Sequence, residues 1–262
     1  MARVISAATQ RGKGRRRTAW AFVIALNALA TSPAWAGRPL TTEDTGTLDP
    51  GKVELELSLD YIRDGAGDIF LLPGGPALNI GLLPRLEGTV ATAFVLLDPE
   101  GEPLRAGVGD SLVRLKYRFL DERSHWPAVM AAVTARLPTG DEDRGLGEEE
   151  VDVQPLAVLS KTFGPVILTV NAGYTFVTRD RDVDVVNLHA SAEAGITRAW
   201  SIVGEVVSEL ATDRRTDDRV VLRAGTVYAV RERVRLDAAI GFGTTRASPD
   251  VLLTVGVTIA LN

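Results

Sequence analysis

The sequence predicts an all-β protein, a single antiparallel up-and-down transmembrane β-barrel of about twelve strands after a cleaved signal peptide. Three observations lead there: an opening stretch with export features, an apolar/polar alternation of period two from residue 51 to the end, and a regular exchange of short and long connections between the alternating segments.

The leader comes first. Residues 1–36 hold Arg3, Arg11, Lys13, Arg15, Arg16 and Arg17 with no acidic residue, then an apolar run from Ala19 to Ala30, then Ala34-Trp35-Ala36. A basic start, a short apolar run and an A-x-A site define a secretory signal peptide cleaved before Gly37. The run is too short to span a bilayer as a helix, and no later stretch of about 18 uncharged apolar residues replaces it. Because the residues after Arg15-Arg16-Arg17 match a twin-arginine signal poorly, export through the Sec pathway to a Gram-negative outer membrane is expected. Of 29 basic residues six lie in the leader, leaving 23 against 34 acidic ones, a charge of about −11 without His. That balance argues against nucleic acid as a partner.

Composition narrows the classes. With 24% charged and 45% hydrophobic residues, the chain is neither disordered throughout nor a polytopic helical membrane protein. It has no Cys and two His, so a disulfide scaffold, a thiolate zinc site, a cysteine nucleophile and an imidazole-rich metal site are not expected. No cofactor is expected either.

Residues 37–50 are polar and precede the first strand, as a periplasmic N-terminal segment or a lumen plug; the barrel is expected over 51–262. The strand segments fall near 52–62, 69–82, 84–96, 109–120, 126–137, 150–161, 165–178, 184–197, 200–211, 218–230, 233–243 and 250–261. In the first, Val53, Leu55, Leu57, Leu59 and Tyr61 oppose Glu54, Glu56, Ser58 and Asp60. Over 110–119, Val113, Leu115, Tyr117 and Phe119 oppose Arg114, Lys116 and Arg118. Val186, Leu188, Ala190, Ala192, Ala194 and Ile196 alternate with Asn187, His189, Ser191 and Glu193. Val234, Leu236, Ala238, Ile240 and Phe242 alternate with Arg235, Asp237 and Gly241. The last segment sets Val251, Leu253, Val255, Val257, Ile259 and Leu261 against Thr254, Gly256, Thr258 and Ala260. Most segments exceed the usual five or six residues of a soluble strand and suit a tilted crossing of a bilayer. Tight turns near 83–84, 121–125, 162–164, 198–199 and 231–232 exchange with longer polar links at 63–68, 97–108, 138–149, 179–183, 212–217 and 244–249. An even strand count then puts both termini at the short-turn, periplasmic rim.

A soluble sandwich or lipocalin-like barrel is the competing fold, but the non-apolar faces carry too many charges of both signs for a dry core. At 6% aromatic residues the interfacial girdles are thin, with Tyr61, Phe94, Tyr117, Phe119, Trp126, Tyr174, Phe176, Trp200, Tyr228 and Phe242 as candidates. Pro76 and Pro155 fall inside strands and remove ladder donors, which predicts bulges or breaks there. The chain ends Ala260-Leu261-Asn262, without a terminal aromatic.

The stretch Arg38-Pro39-Leu40-Thr41-Thr42-Glu43-Asp44-Thr45-Gly46-Thr47-Leu48-Asp49-Pro50-Gly51, followed by Val53-Glu54-Leu55-Glu56, resembles the opening of outer-membrane proteins named for the meta-pathway of phenol degradation. Gly109-Asp110 leading into Leu112-Val113-Arg114-Leu115-Lys116-Tyr117-Arg118, and Leu137-Pro138-Thr139-Gly140-Asp141, are similar too. The resemblance implies a transporter-like outer-membrane barrel with a phenol connection carried by the family name.

In such a barrel the inward row carries function. Alternation assigns to the lumen Glu54, Glu56, Asp60, Glu87, Arg114, Lys116, Arg118, Arg136, His189, Glu193, Glu205, Glu209, Arg223, Arg235 and Asp237. These charges either line a selective pathway for small molecules, hydrophobic or aromatic ones included, or pair across the lumen of a closed structural or adhesion-type barrel. The expected partners are outer-membrane lipid and lipopolysaccharide, the barrel-assembly machinery and an unidentified small solute. The acidic loop 141–150 reads as a solvated loop rather than a cation site, and 97–108 as a plain connection. His189 and Ser191 share a strand face with Glu193, the spacing of a barrel lipid hydrolase, but Leu188, Ala190 and Ala192 claim the lipid side; no enzyme is expected.

Overall fold

The computed structural model describes residues 37–64, 67–178, 184–213 and 216–262; the expected leader lies outside the described residues. Each alternating segment has one face that tolerates hydrocarbon and one that does not. A sheet of such strands leaves no edge in lipid only by closing on itself. It does close. β1 (Val53–Asp64) pairs on one side with β2 (Gly67–Leu83) and on the other with β14 (Val251–Ala260), Glu54 standing opposite Ala260. From β14 the order runs back through β13 (Val234–Gly243), β12 (Arg219–Arg231), β11 (Trp200–Ala211), β10 (Val185–Gly195), β9 (Val166–Thr175), β8 (Asp152–Phe163) and β7 (Ala128–Leu137) to β6 (Ser111–Leu120), all antiparallel.

Between β2 and β6 two crossings of the wall are each divided. β3 (Leu86–Ala91) and β4 (Phe94–Pro99) both pair with β2, while β5 (Arg105–Val108) pairs with β4 and β6 pairs with β3. Among the described residues fourteen strands therefore make a closed twelve-strand barrel. Gly109 N donates to Ala93 O at 2.9 Å across the two breaks. A Cβ on Gly109 would lie 2.8 Å from Val95 Cγ2, so the close approach requires glycine. Here the expected loop over 97–108 is corrected. Val95 to Pro99 pair with β2 and Arg105 to Val108 pair with β4, so the link shrinks to residues 100–104.

The prolines act locally. Beside Pro76 the β1–β2 register shifts between Glu56 and Ser58, and shifts again between Ser58 and Asp60. The β8–β9 ladder runs from Phe163 to Leu156, lapses at Pro155, and resumes as a single bridge between Val153 and Phe176. A proline with no N–H leaves that gap.

Outward positions are apolar and exposed, as at Leu115, Val133, Val170, Leu188, Leu222 and Val255. The aromatics collect at the two rims. Tyr117, Phe119, Trp126, Phe163, Trp200 and Tyr228 lie by the turns that share a rim with the first strand's start, and Tyr61, Phe70, Phe94, Tyr174, Phe176 and Phe242 by the opposite loops. Contacting rings such as Tyr117–Phe119, with centroids 4.9 Å apart, concentrate few residues into two belts. The inward face is not uniformly polar, which corrects the expectation for β7 and β8. There Met130, Ala132, Leu156 and Val158 point inward and form a buried apolar cluster.

Candidate functional site: the barrel interior

The interior is organised by residues 37–50, which precede β1. Arg38 reaches Asp237 at 3.2 Å and Thr254 Oγ1 at 2.8 Å. The backbone N–H groups of Thr41 and Thr42, together with the Thr42 hydroxyl, donate to the Glu205 carboxylate at 2.7–3.0 Å. Arg223 touches the same carboxylate at 3.3 Å and donates to Thr41 Oγ1 at 2.8 Å. Glu43 spans the barrel. Its N–H donates to Asn171 Oδ1 at 2.7 Å, its carbonyl accepts from Asn171 Nδ2 at 2.8 Å, and its carboxylate pairs with Arg114 and, at 3.1 Å, with Lys116. Leu48 N–H then donates to Glu87 at 2.7 Å, and Gly51 bonds Gly81 beside the short-turn rim. The segment thus enters the lumen, crosses it from β13 and β11 to β6 and β3, and returns to begin β1.

This path solves a problem of physical chemistry. An irregular segment inside a barrel has backbone groups that no ladder satisfies, and inward charges need counter-charges. Glu205 and Asn171 supply the first need, and Lys116 held between Glu43 and Glu87 supplies the second, with Glu87 at 3.2 Å.

The residues assigned to the lumen make the following contacts. Glu54 pairs with Arg235 at 3.2 Å, Asp237 with Arg38, and Glu209 with Arg219 at 3.1 Å. Arg136 pairs with Asp152 and lies 3.9 Å from Glu148. Arg118 meets Asp121 at 3.1 Å at the turn rim. Asp60 accepts from Ser58 at 2.5 Å, and Glu56 accepts from Asn79 at 3.0 Å. Glu193 interacts with Ser201 on the neighbouring strand. His189 is buried between Asn171 and Val207, and neither ring nitrogen has a hydrogen-bond partner among the described residues. Ser191 shares its face without engaging it.

The lumen assignment made from alternation omits Arg38, Glu43, Asn171 and Asp152. Arg38 and Glu43 stood in a segment whose path no periodicity encodes. Asn171 and Asp152 follow the same alternation as the charges that were selected, and that signal would have found them.

Two cavities lie in the interior, and the crossing segment lines the larger. One, of about 510 Å³, is lined by Arg38, Glu43, Glu54, Glu56, Arg118 and Arg235 among others and lies toward the short-turn rim. The second, of about 370 Å³, lies toward the loops and is lined by Arg136, Asp152, Gln154, Thr175, Asn187 and Glu209 among others. Leu112 borders both. Above them the loop containing residues 138–151 is folded rather than loose. Asp110 accepts from the N–H groups of Gly140 and Glu148, each at 3.0 Å, and Leu146 is buried.

Two acids of the segment respond oppositely to this setting. Burial pushes Glu43 up, but Lys116 and Arg114 more than offset it and hold the carboxyl down at about 2. Asp44 is raised to about 7, first by burial and further by Glu43 and Glu87, against the opposing pull of Lys116. The signs follow by linkage. The contribution of Glu43 to seating is fully present above its ordinary value of 4.5 and is lost as pH falls toward 2. The contribution of Asp44 is full below 3.8 and is lost as pH rises through about 7. Of these two acids only Asp44 titrates between pH 5 and 8, so seating of the segment is expected to weaken as pH rises through that window, and Asp44→Asn to flatten the change when protease access to residues 37–50 is followed against pH. An unchanged pH profile in the variant would refute this assignment.

An apolar wall between two aromatic belts, closed around an interior that carries most of the charges, defines a transmembrane β-barrel. The chain belongs to the family described as "Putative MetA-pathway of phenol degradation", which matches residues 36–261. Among solved structures it is similar to an outer-membrane channel from Pseudomonas putida F1, with 12% identity, a TM-score of 0.66, and 85% of this chain and 100% of that one covered. It is also similar to the NanC porin (9% identity, TM-score 0.57, 79% and 100% covered) and the KdgM porin (9%, 0.53, 80% and 99%). At these identities the likeness is one of fold. No curated protein matches the sequence.

Proposed function

We propose that the protein is a non-enzymatic channel for small solutes in the outer membrane, with residues 37–50 acting as a plug that closes it at rest. The observation that carries this reading is an interior left partly open: one cavity toward the short-turn rim, lined in part by residues 37–48 that hydrogen bonds and ion pairs hold rather than a packed core, and a second toward the loops. The family description points to phenolic and other small aromatic solutes. Planar-bilayer recording of the purified protein is the test: discrete steps, reduced by added phenol or small aromatic acids, support the channel and its solute class. The dense anchoring of the plug favours a second reading, a closed structural barrel, and silence of both the whole protein and its plug-deleted form would establish that instead. For the enzyme alternative, the unengaged His189 predicts that Ser191→Ala leaves lipid hydrolysis at background. An activity abolished by that change would make the protein a hydrolase.

A further inference from the structure

The inward carboxylates around the larger cavity are not equally provided for. Glu54 has Arg235, Glu87 has Lys116, and Glu43 has Lys116 and Arg114. Asp44 has no ion pair among the described residues and accepts from the N–H of Gly46 in its own segment. On the wall, Glu56 differs. Its Oε1 accepts from the neutral amide of Asn79 at 3.0 Å, and no cation stands within ion-pair distance of it among the described residues. A carboxylate facing the interior without a direct counter-charge is costly, and Arg38 and Lys116 act on this one only from beyond ion-pair distance.

The chain itself can supply a direct one. Gly37 lines the same cavity as Glu56, and a Cβ built on Gly37 would lie 3.8 Å from Glu56 Oε1. Its position is fixed from the next residue, because Arg38 is tied to Asp237 and Thr254 and its guanidinium packs on Gly256. The A-x-A site of the sequence places the cut immediately before Gly37. Before cleavage the nitrogen of Gly37 is a neutral amide; after it, the nitrogen is an ammonium, protonated at neutral pH.

We propose that signal-peptide cleavage creates the missing cation, and that the new α-ammonium of Gly37 pairs with Glu56 inside the barrel as the terminal anchor of the segment. Maturation by peptide-bond hydrolysis, which consumes water and leaves the leader's carboxylate on the departing peptide, then also completes the lumen's charge balance. The inference rests on cleavage before Gly37, and it is independent of whether the barrel conducts.

The test uses mature protein purified from outer membranes, with its N-terminus read by mass spectrometry, and compares acylation of the Gly37 α-amine at neutral pH in wild type, Glu56→Gln and a variant whose mature chain begins one alanine earlier. In folded wild type the amine is expected to react about tenfold more slowly than in either variant, the protection that one pKa unit of charge pairing confers. Glu56→Gln keeps the Asn79 hydrogen bond, and heat-modified migration on gels checks that it folds; the one-residue extension keeps Glu56 itself. Equal labelling in wild type and both variants overturns the pairing. A terminus at any residue other than Gly37 overturns it as well, by removing the ammonium. Protection of the amine in a protein that carries no current supports the pairing while refuting the channel.

Discussion

Deletion of residues 38–48 is expected to raise single-channel conductance severalfold without unfolding the barrel. The wall is closed by backbone ladders from β1 to β14, and none of them includes this segment. What the segment does contribute is occupancy. Thr42 is 2% exposed in the middle of the lumen, held by two bonds to Glu205 beside those from the Thr41 N–H. Removing it opens the larger cavity, which residues 38–48 line along much of their length. Charge-assisted hydrogen bonds contribute roughly 1.5–3 kcal/mol each, so the anchors make a closed resting state plausible while leaving withdrawal within reach of modest forces. The point variant Glu205→Gln is a milder form of the same experiment. It keeps one acceptor for the two N–H groups but loses the ion pair with Arg223, and more frequent openings are expected rather than a constant open state. Recordings that show the deletion conducting no better than wild type would mean that another constriction closes the lumen.

The alternation of period two made the barrel legible in the sequence. Glu54, Glu56 and Asp60 against Leu55, Leu57 and Leu59 fix which face of β1 meets lipid, and neighbouring strands repeat the same choice. The short-turn and long-loop exchange gave the order. Three things were less legible. The division of two crossings at Thr92-Ala93 and Gly109-Asp110 depends on a contact between the breaks, and pairwise proximity has no periodic signature. The inward apolar cluster of Met130, Ala132, Leu156 and Val158 lies on strands that are apolar on both faces, as Val129, Ala131, Val133, Ala157 and Leu159 show, so the alternation there is weak. The path of residues 37–50 was invisible for a different reason. Its bonds to Asp237, Glu205, Asn171 and Glu87 join positions separated by 39 to 199 residues, and only a closed wall brings those acceptors together.

Lys116→Met is expected to be the most destabilising single substitution in the interior. The ammonium is 3.1 Å from Glu43 and 3.2 Å from Glu87, on a side chain 9% exposed, and it stands where the plug meets the wall. Methionine matches its length and leaves no void, so the loss is electrostatic. Glu87 would keep only the Leu48 N–H, and Glu43 only Arg114 and its backbone partner Asn171. Breaking a buried pair by removing one partner costs about 3–5 kcal/mol, because the other charge remains uncompensated. Part of that cost is avoided by releasing the plug, which carries Glu43 into water. The variant should therefore show both a lower midpoint in urea unfolding, followed by heat-modified gel migration, and a higher open probability. The double variant Lys116→Met with Glu87→Gln separates the two effects, since it removes the wall's stranded carboxylate and leaves the plug's. Stability is expected to recover in large part while openings stay frequent. If stability and gating return together, Glu87 alone governs both, and the bridge from Lys116 to Glu43 contributes nothing to closure.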